Sequence, residues 1–335
     1  MMRAPRFWDR DVDPKSREGA PLTRLLMTPL AAVYAEVTAR RIRHADPLEI
    51  AIPVICVGNL TAGGSGKSPV VAAIRQHLTG LRGSIRAASL SRGYGGKLQG
   101  PLQVDPETHN TSQVGDEALM LSQSGEAWIG ANRAAAGQAM ESDGVDVIIM
   151  DDGFQNPGLA KTLSIIVVDA AAGFGNGHVI PKGPLREPVK AGLARADAVI
   201  LMGAGEPPDE LCDFNGPVLR ASIEPVSPPT PGAYVAFAGI GRPEKFFDTL
   251  KACGTPPLDA VPFGDHHTYS DRDLRYLRTL AADYNAQLIT TEKDFVRLSP
   301  AQRKDIVTLP VAAQLQQSSD LVELLKPVTD RLSDE

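Results

Sequence analysis

The stretch "GNLTAGGSGKSP", Gly58 to Pro69, constrains the fold more than any other part of the chain. It lies between a short β-rich apolar run, "IPVICV", and the helix-permissive "PVVAAIRQHL". A glycine-rich loop in that position belongs to a strand–loop–helix unit whose backbone amides cradle phosphate. Gly63, Gly64 and Gly66 let N–H groups converge on phosphate oxygens, and the following helix N-terminus favours negative charge. Lys67 is placed to reach the β- and γ-phosphates of a nucleoside triphosphate, Ser68 to hold magnesium, and Pro69 suits a first helical turn. The expected phosphate cradle is thus Thr61, Ala62, Gly63, Gly64, Ser65, Gly66, Lys67 and Ser68. Thr61 stands where the usual pattern has its first glycine.

Such a loop requires a parallel sheet covered by helices, and the text on either side reads that way. Strands are predicted at "IPVICV" and then at "SIRAASLS", "VDVIIMDD", "LSIIVVDA" and "ADAVILMG", these four ending in polar or glycine residues. Sites in such sheets form at the carboxyl ends of the strands. After them the composition turns proline-rich, and Pro225, Pro228, Pro229 and Pro231 mark a stiff connection over 225–232. A second α/β unit follows, with strands near "AYVAFAGI", "LDAVPFGD", "AQLITTEKD" and "IVTLPVAA". The expected organisation is an N-terminal helical region over 1–45, a phosphate-loop domain over 46–224 and a smaller C-terminal α/β domain over 225–335. A chain of 335 residues, 43% hydrophobic, has the apolar content for two such cores.

A formal net charge of −6 argues against a nucleic-acid partner bound through bulk positive charge. Three cysteines, Cys56, Cys212 and Cys253, are too few and too far apart for a disulfide framework or a zinc spacing. The first twenty residues are polar and charged, without the apolar run of a secretory signal. In the next segment Leu22, Leu26, Leu30, Val33 and Val37 recur at helical spacing, while Arg24, Arg40, Arg41 and Arg43 add positive charge. Arg24, Pro29 and Glu36 interrupt it short of the ~20 apolar residues a membrane span needs. Two readings stand at this point: a helix lying on a membrane surface, or one packed on its own domain.

The run "VDVIIMDDG" ends in Asp151 and Asp152, suited to a carboxylate facing the magnesium held by the loop; either aspartate could be the direct ligand. No Asn-Lys-x-Asp tetrapeptide that would read guanine occurs, so ATP is the expected nucleotide. These features fit a kinase, and equally a P-loop ATPase acting as a nucleotide-dependent carrier or switch.

Other segments choose between them. "FWDRD", "VGNLTAGGSGKSP", "LSRGYGG", "VGDEALML", "MDDGFQN", "VIPKGPLREP", "FGDHHTYS" and "TTEKDFVRL" occur in order over most of the chain. Together they resemble the tetraacyldisaccharide 4'-kinases of lipid A biosynthesis, whose phosphate loop also carries threonine in place of the first glycine. The resemblance implies transfer of the ATP γ-phosphate to the 4'-hydroxyl of tetraacyldisaccharide 1-phosphate, forming lipid IVA. It also implies Asp116 as the base and His266 as its partner, with Lys67, Asp151 and Asp152 completing the catalytic set. A carboxylate oriented by a histidine is chemically suited to deprotonating an alcohol. Read without the resemblance, Asp116 is a helix N-cap. Arg92, Arg133 and Arg186 are suited to forked hydrogen bonds with phosphate, and Tyr94, Glu117 and His267 are expected beside the substrate. One departure is Asn156, where the family has a histidine; asparagine cannot titrate in the useful range. A four-chain lipid acceptor also favours membrane association for the N-terminal helix, peripheral or monotopic on the cytoplasmic side of the inner membrane. No obligate protein partner is implied.

Overall fold

The computed structural model describes residues 4–82 and 85–332. The chain ends of the two outer expected units, and Ser84 at the start of "SIRAASLS", lie outside the described residues.

The large sheet contains β1 (Val54–Gly58), β2 (Ala87–Ser91), β3 (Leu102–Gln103), β4 (Ala127–Ile129), β5 (Val147–Asp151), β6 (Leu163–Asp169), β7 (Ala198–Met202) and β8 (Val218–Pro225). A small sheet contains β9 (Tyr234–Ala238), β10 (Asp259–Pro262), β11 (Gln287–Thr291) and β12 (Ile306–Leu309), and the last strand, β13 (Val311–Leu315), returns to the large one. The helices are α1 (Pro21–Arg43), α2 (Lys67–Arg82), α3 (Thr111–Val114), α4 (Asp116–Ser122), α5 (Arg133–Ser142), α6 (Val189–Leu193), α7 (Pro243–Ala252), α8 (Asp271–Asp283), α9 (Glu292–Phe295) and α10 (Ser318–Thr329).

In the large sheet the order is β13-β8-β7-β6-β1-β5-β2-β4-β3, parallel except at its two edges, where β13 and β3 run antiparallel. The apolar runs are continuous because both faces are covered. Ile55 and Val57 of β1 face the core that includes Val70, Ile74 and Leu78 of α2, while Val54 and Cys56 face a second core with Met140 of α5 and Leu159. The small sheet, all parallel in the order β10-β9-β11-β12, is sandwiched likewise: Phe246, Phe247 and Leu250 of α7 cover one side, Leu274 and Leu277 of α8 the other.

The expected C-terminal unit of 225–335 does not keep its last part. "IVTLPVAA" is two strands, because Pro310 interrupts the run: β12 stays in the small sheet, while β13 pairs with β8. Ala313 of β13 and Leu321, Leu324, Leu325 and Val328 of α10 then join the core beneath α2. The chain therefore crosses between units twice, side by side, with the Val226 amide donating to the Pro310 carbonyl at 2.9 Å. β8 is not among the predicted strands, because it is half-exposed and runs into the proline-rich connection at Pro225. β4 has only three residues, too short for a periodicity to register.

Helix α1 forms as its spacing predicts. Ala31 and Thr38 are buried, whereas Leu22, Leu25, Leu26, Leu30, Val33 and Val37 are all more than half exposed. No helix among the described residues is long and apolar enough to cross a membrane.

Candidate active site

The phosphate loop leaves β1 at the centre of the sheet and enters α2 at Lys67. Thr61 pairs as an isolated antiparallel bridge with Leu185, and the Ala62 amide donates to the Pro184 carbonyl at 2.7 Å. The chain is extended there, so a β-branched residue fits where a turn would have needed glycine. Gly63 and Gly66 do need it, with φ of 117° and 88°. A Cβ on Gly63 or Gly64 would meet nothing within 4 Å, so the backbone borders open space. Ser65 lies buried in the loop, its hydroxyl without a hydrogen-bond partner among the described residues.

The structure separates the two aspartates that the sequence left equivalent. Asp151, the last residue of β5, accepts a hydrogen bond from Ser68 Oγ at 2.8 Å through Oδ2, while its Oδ1 is buried without a partner among the described residues. Burial pushes this carboxyl up to about 7, helped by Glu117 and opposed by Lys67. Asp152 turns away with a positive φ of 55° and binds Lys67 Nζ at 3.5 Å and Arg186 Nη1 at 2.7 Å. An orphaned carboxylate oxygen beside a serine hydroxyl suits a divalent cation whose remaining ligands are phosphate and water. No cluster of three or more His, Cys, Asp or Glu side chains among the described residues forms a metal cage by itself.

The carboxyl end of the small sheet faces this loop. A Cβ on Gly241, after β9, would lie 3.9 Å from the Gly64 amide nitrogen. At the end of β6, buried Asp169 is paired with Arg242 and Lys245 of the small unit. On the other flank Asp116, in the first turn of α4, receives His266 Nδ1 at 2.8 Å through Oδ2. It does not cap α4; Gly115 holds that position. Burial alone would raise the Asp116 carboxyl, but His266, Lys293 and Arg297 outweigh it and hold the group well below the usual carboxylate range.

Tyr94 lies edge-on to the His266 ring, centroids 6.2 Å apart, and Glu117 pairs with Lys293 at 3.3 Å. Arg186, through Asp152, and buried Arg133, whose guanidinium bonds the Gly130 carbonyl, lie around the aspartates; Arg92 is exposed nearby and its charge bears on Arg133. His267 points elsewhere, bonding Asp273 of α8 at 3.1 Å and packing on Phe263 and Tyr269. Asn156 closes a turn, its Oδ1 accepting the Gly158 amide at 2.9 Å.

Sequence reasoning missed several residues here. Gln155 donates to the buried Glu187 at 3.1 Å and accepts from Arg186 at 3.3 Å, so it orients both side chains. Lys293 and Arg297 lie in "TTEKDFVRL", and their contacts with α4 depend on the meeting of the two units.

A phosphate loop on a parallel sheet, a carboxylate–hydroxyl pair at its mouth and an Asp–His pair assembled across two units define a P-loop kinase. The sequence profile of Tetraacyldisaccharide-1-P 4'-kinase matches residues 23–330, and the chain belongs to that family. Tetraacyldisaccharide 4'-kinase of Hyphomonas neptunium is 56% identical over 330 residues, 98% of this chain and 99% of that one. The corresponding protein of Maricaulis maris is 50% identical over 336 residues, 98% and 97% of the two chains. A crystal structure of LpxK from Aquifex aeolicus in complex with ATP superposes with a TM-score of 0.71 at 25% identity, covering 91% of this chain and 99% of that one.

Proposed function

We propose that this chain transfers the γ-phosphate of ATP to the 4'-hydroxyl of tetraacyldisaccharide 1-phosphate, forming lipid IVA at the cytoplasmic face of the bacterial inner membrane. The observation that carries this reading is the Asp116–His266 pair, contributed by two units that meet over one phosphate loop. A carrier or switch that passes phosphate to water has no need of a base aimed at an alcohol.

In this reading residues 61–68 cradle the triphosphate, and Lys67 moves its charge from Asp152 to the β- and γ-oxygens. Ser68 and Asp151 would hold magnesium, which neutralises charge on those oxygens when bound. Asp152 stays paired with Arg186, so the departure of Lys67 leaves no uncompensated carboxylate. Asp116, an anion at working pH, takes the proton from the 4'-hydroxyl as its oxygen bonds to the γ-phosphorus. The bond to the bridging β–γ oxygen breaks, and its electron pair leaves on ADP. His266 orients Asp116 through Nδ1. Arg92 and Arg133 meet acceptor phosphate, Tyr94 and Glu117 line the sugar, and the exposed apolar face of α1 rests on the membrane holding the acyl chains.

The test is incubation with labelled ATP and tetraacyldisaccharide 1-phosphate in mixed micelles. Label on the lipid is expected. Label released only as inorganic phosphate would favour the carrier.

A further inference from the structure

Arg297 follows α9 in the small unit and is as deeply buried as the carboxylate it binds, with side-chain exposures of 6% for Arg297 and 9% for Asp116. Its guanidinium divides into two working edges. Nη1 donates to the Gly239 carbonyl at 2.7 Å and to Asp294 Oδ1 at 2.8 Å, both within the small unit. Nε, at 2.9 Å, and Nη2 both donate to Oδ2 of Asp116 in the large unit. The anchoring edge is rigid because Asp294 is fully buried and held through both of its oxygens. Its Oδ1 also accepts the Tyr269 hydroxyl at 2.8 Å and the Gly239 amide at 3.0 Å, and its Oδ2 accepts Thr291 Oγ1 at 2.7 Å.

The consequence lies on Asp116. Oδ2 takes two arginine nitrogens and His266 Nδ1, so its lone pairs are filled. Among the described residues Oδ1 takes only the Glu117 amide, at 3.0 Å, and keeps acceptor capacity for a hydroxyl. A guanidinium can meet these acceptors at once; an ammonium, with its donors on one atom, cannot.

We propose that Arg297 is a positioning residue for phosphoryl transfer: it fixes the Asp116 carboxylate against His266 and leaves Oδ1 as the oxygen that receives the acceptor proton. Because Arg297 and His266 arrive on the same unit, docking of that unit sets the base and its partner in one step. The inference rests on the functional reading above.

The experiment compares full-length wild type, Arg297→Ala and Arg297→Lys with MgATP and tetraacyldisaccharide 1-phosphate in micelles. Removing the arginine is expected to lower kcat by roughly 10²-fold, comparable to the loss of one transition-state hydrogen-bond donor. The KM for MgATP stays within about threefold, because the hydrogen bonds of Arg297 go to Asp116, Gly239, Asp294 and His266 and to none of residues 61–68. Millimolar methylguanidinium restores turnover saturably in Arg297→Ala, and methylammonium does not. Should Arg297→Ala fail to fold, Arg297→Lys decides. It retains charge and stem, and the expectation is a kcat loss of about tenfold at unchanged KM. Wild-type kcat in a folded variant, an equal loss of nucleotide binding, or absence of saturable rescue would overturn the proposal. If wild type itself phosphorylates no lipid, the functional reading fails first and the positioning role falls with it.

Discussion

Replacing Lys67 with methionine keeps an unbranched stem but removes the charge, and its two consequences separate cleanly. In the free protein Lys67 Nζ lies 3.5 Å from Asp152 Oδ1, with side-chain exposures of 10% and 32%. At an effective dielectric constant of ~20 that separation corresponds to about 5 kcal/mol of gross attraction. Most of this is offset by desolvation, and Asp152 keeps Arg186 at 2.7 Å, so no uncompensated carboxylate is left. The net change in stability should stay within about 1 kcal/mol, less than about 4 °C in thermal midpoint. During transfer the γ-phosphoryl oxygens acquire charge that no water can neutralise as the lysine would, and loss of one such contact costs about 3–4 kcal/mol of barrier. Lys67→Met should therefore turn over roughly 10²–10³-fold more slowly while melting almost as wild type does. The assay is lipid phosphorylation in micelles beside a melting curve of the same preparation. Turnover within threefold of wild type, or a collapse in melting temperature large enough to explain the loss, would refute the assignment of Lys67 to the phosphates.

Burial holds the Asp151 proton up to about 7, and that proton must leave before a cation enters. Magnesium affinity in the nucleotide complex should rise roughly tenfold between about pH 6 and pH 8 and flatten beyond, measured by titration calorimetry; a flat profile would count against Asp151 as ligand. Leu26 and Val33 of α1 are 72% and 62% exposed, so Leu26→Glu with Val33→Glu should leave the melting temperature unchanged. Binding to anionic vesicles should fall at least tenfold, since each apolar side chain contributes about 1.5–3 kcal/mol; unchanged co-sedimentation would remove α1 as the docking face. Leu325 of α10 is fully buried against the large unit, and Leu325→Ala should cost about 2–5 kcal/mol in urea unfolding. A loss below about 1 kcal/mol would show that α10 contributes little to that core.

Local signals in the sequence determined the strand–loop–helix around Lys67, the parallel sheet and the apolar stripe of α1. The letters near each element suffice there: glycines where φ is positive, β-branched runs buried on both faces, leucines at helical spacing. Motif company also pointed to Asp116 and His266, although they lie 150 positions apart. Thr61 was legible as a departure from the general phosphate-loop pattern that the resembled family shares. Its pairing with Leu185 shows why no glycine is needed. What the tertiary structure alone decided is long-range pairing, because direction and register are set by neighbours that no local window contains. Asp151 and Asp152 are adjacent in sequence, yet one meets Ser68 and the other Lys67 and Arg186, since a strand end and a left-handed turn aim their side chains differently. His267 stands beside His266 but turns to Asp273, because the positive φ of 56° at His266 reverses the chain between them. The return of β13 to the large sheet and the grip of Arg297 on Asp116 have the same origin: they exist only once two separately cored units meet.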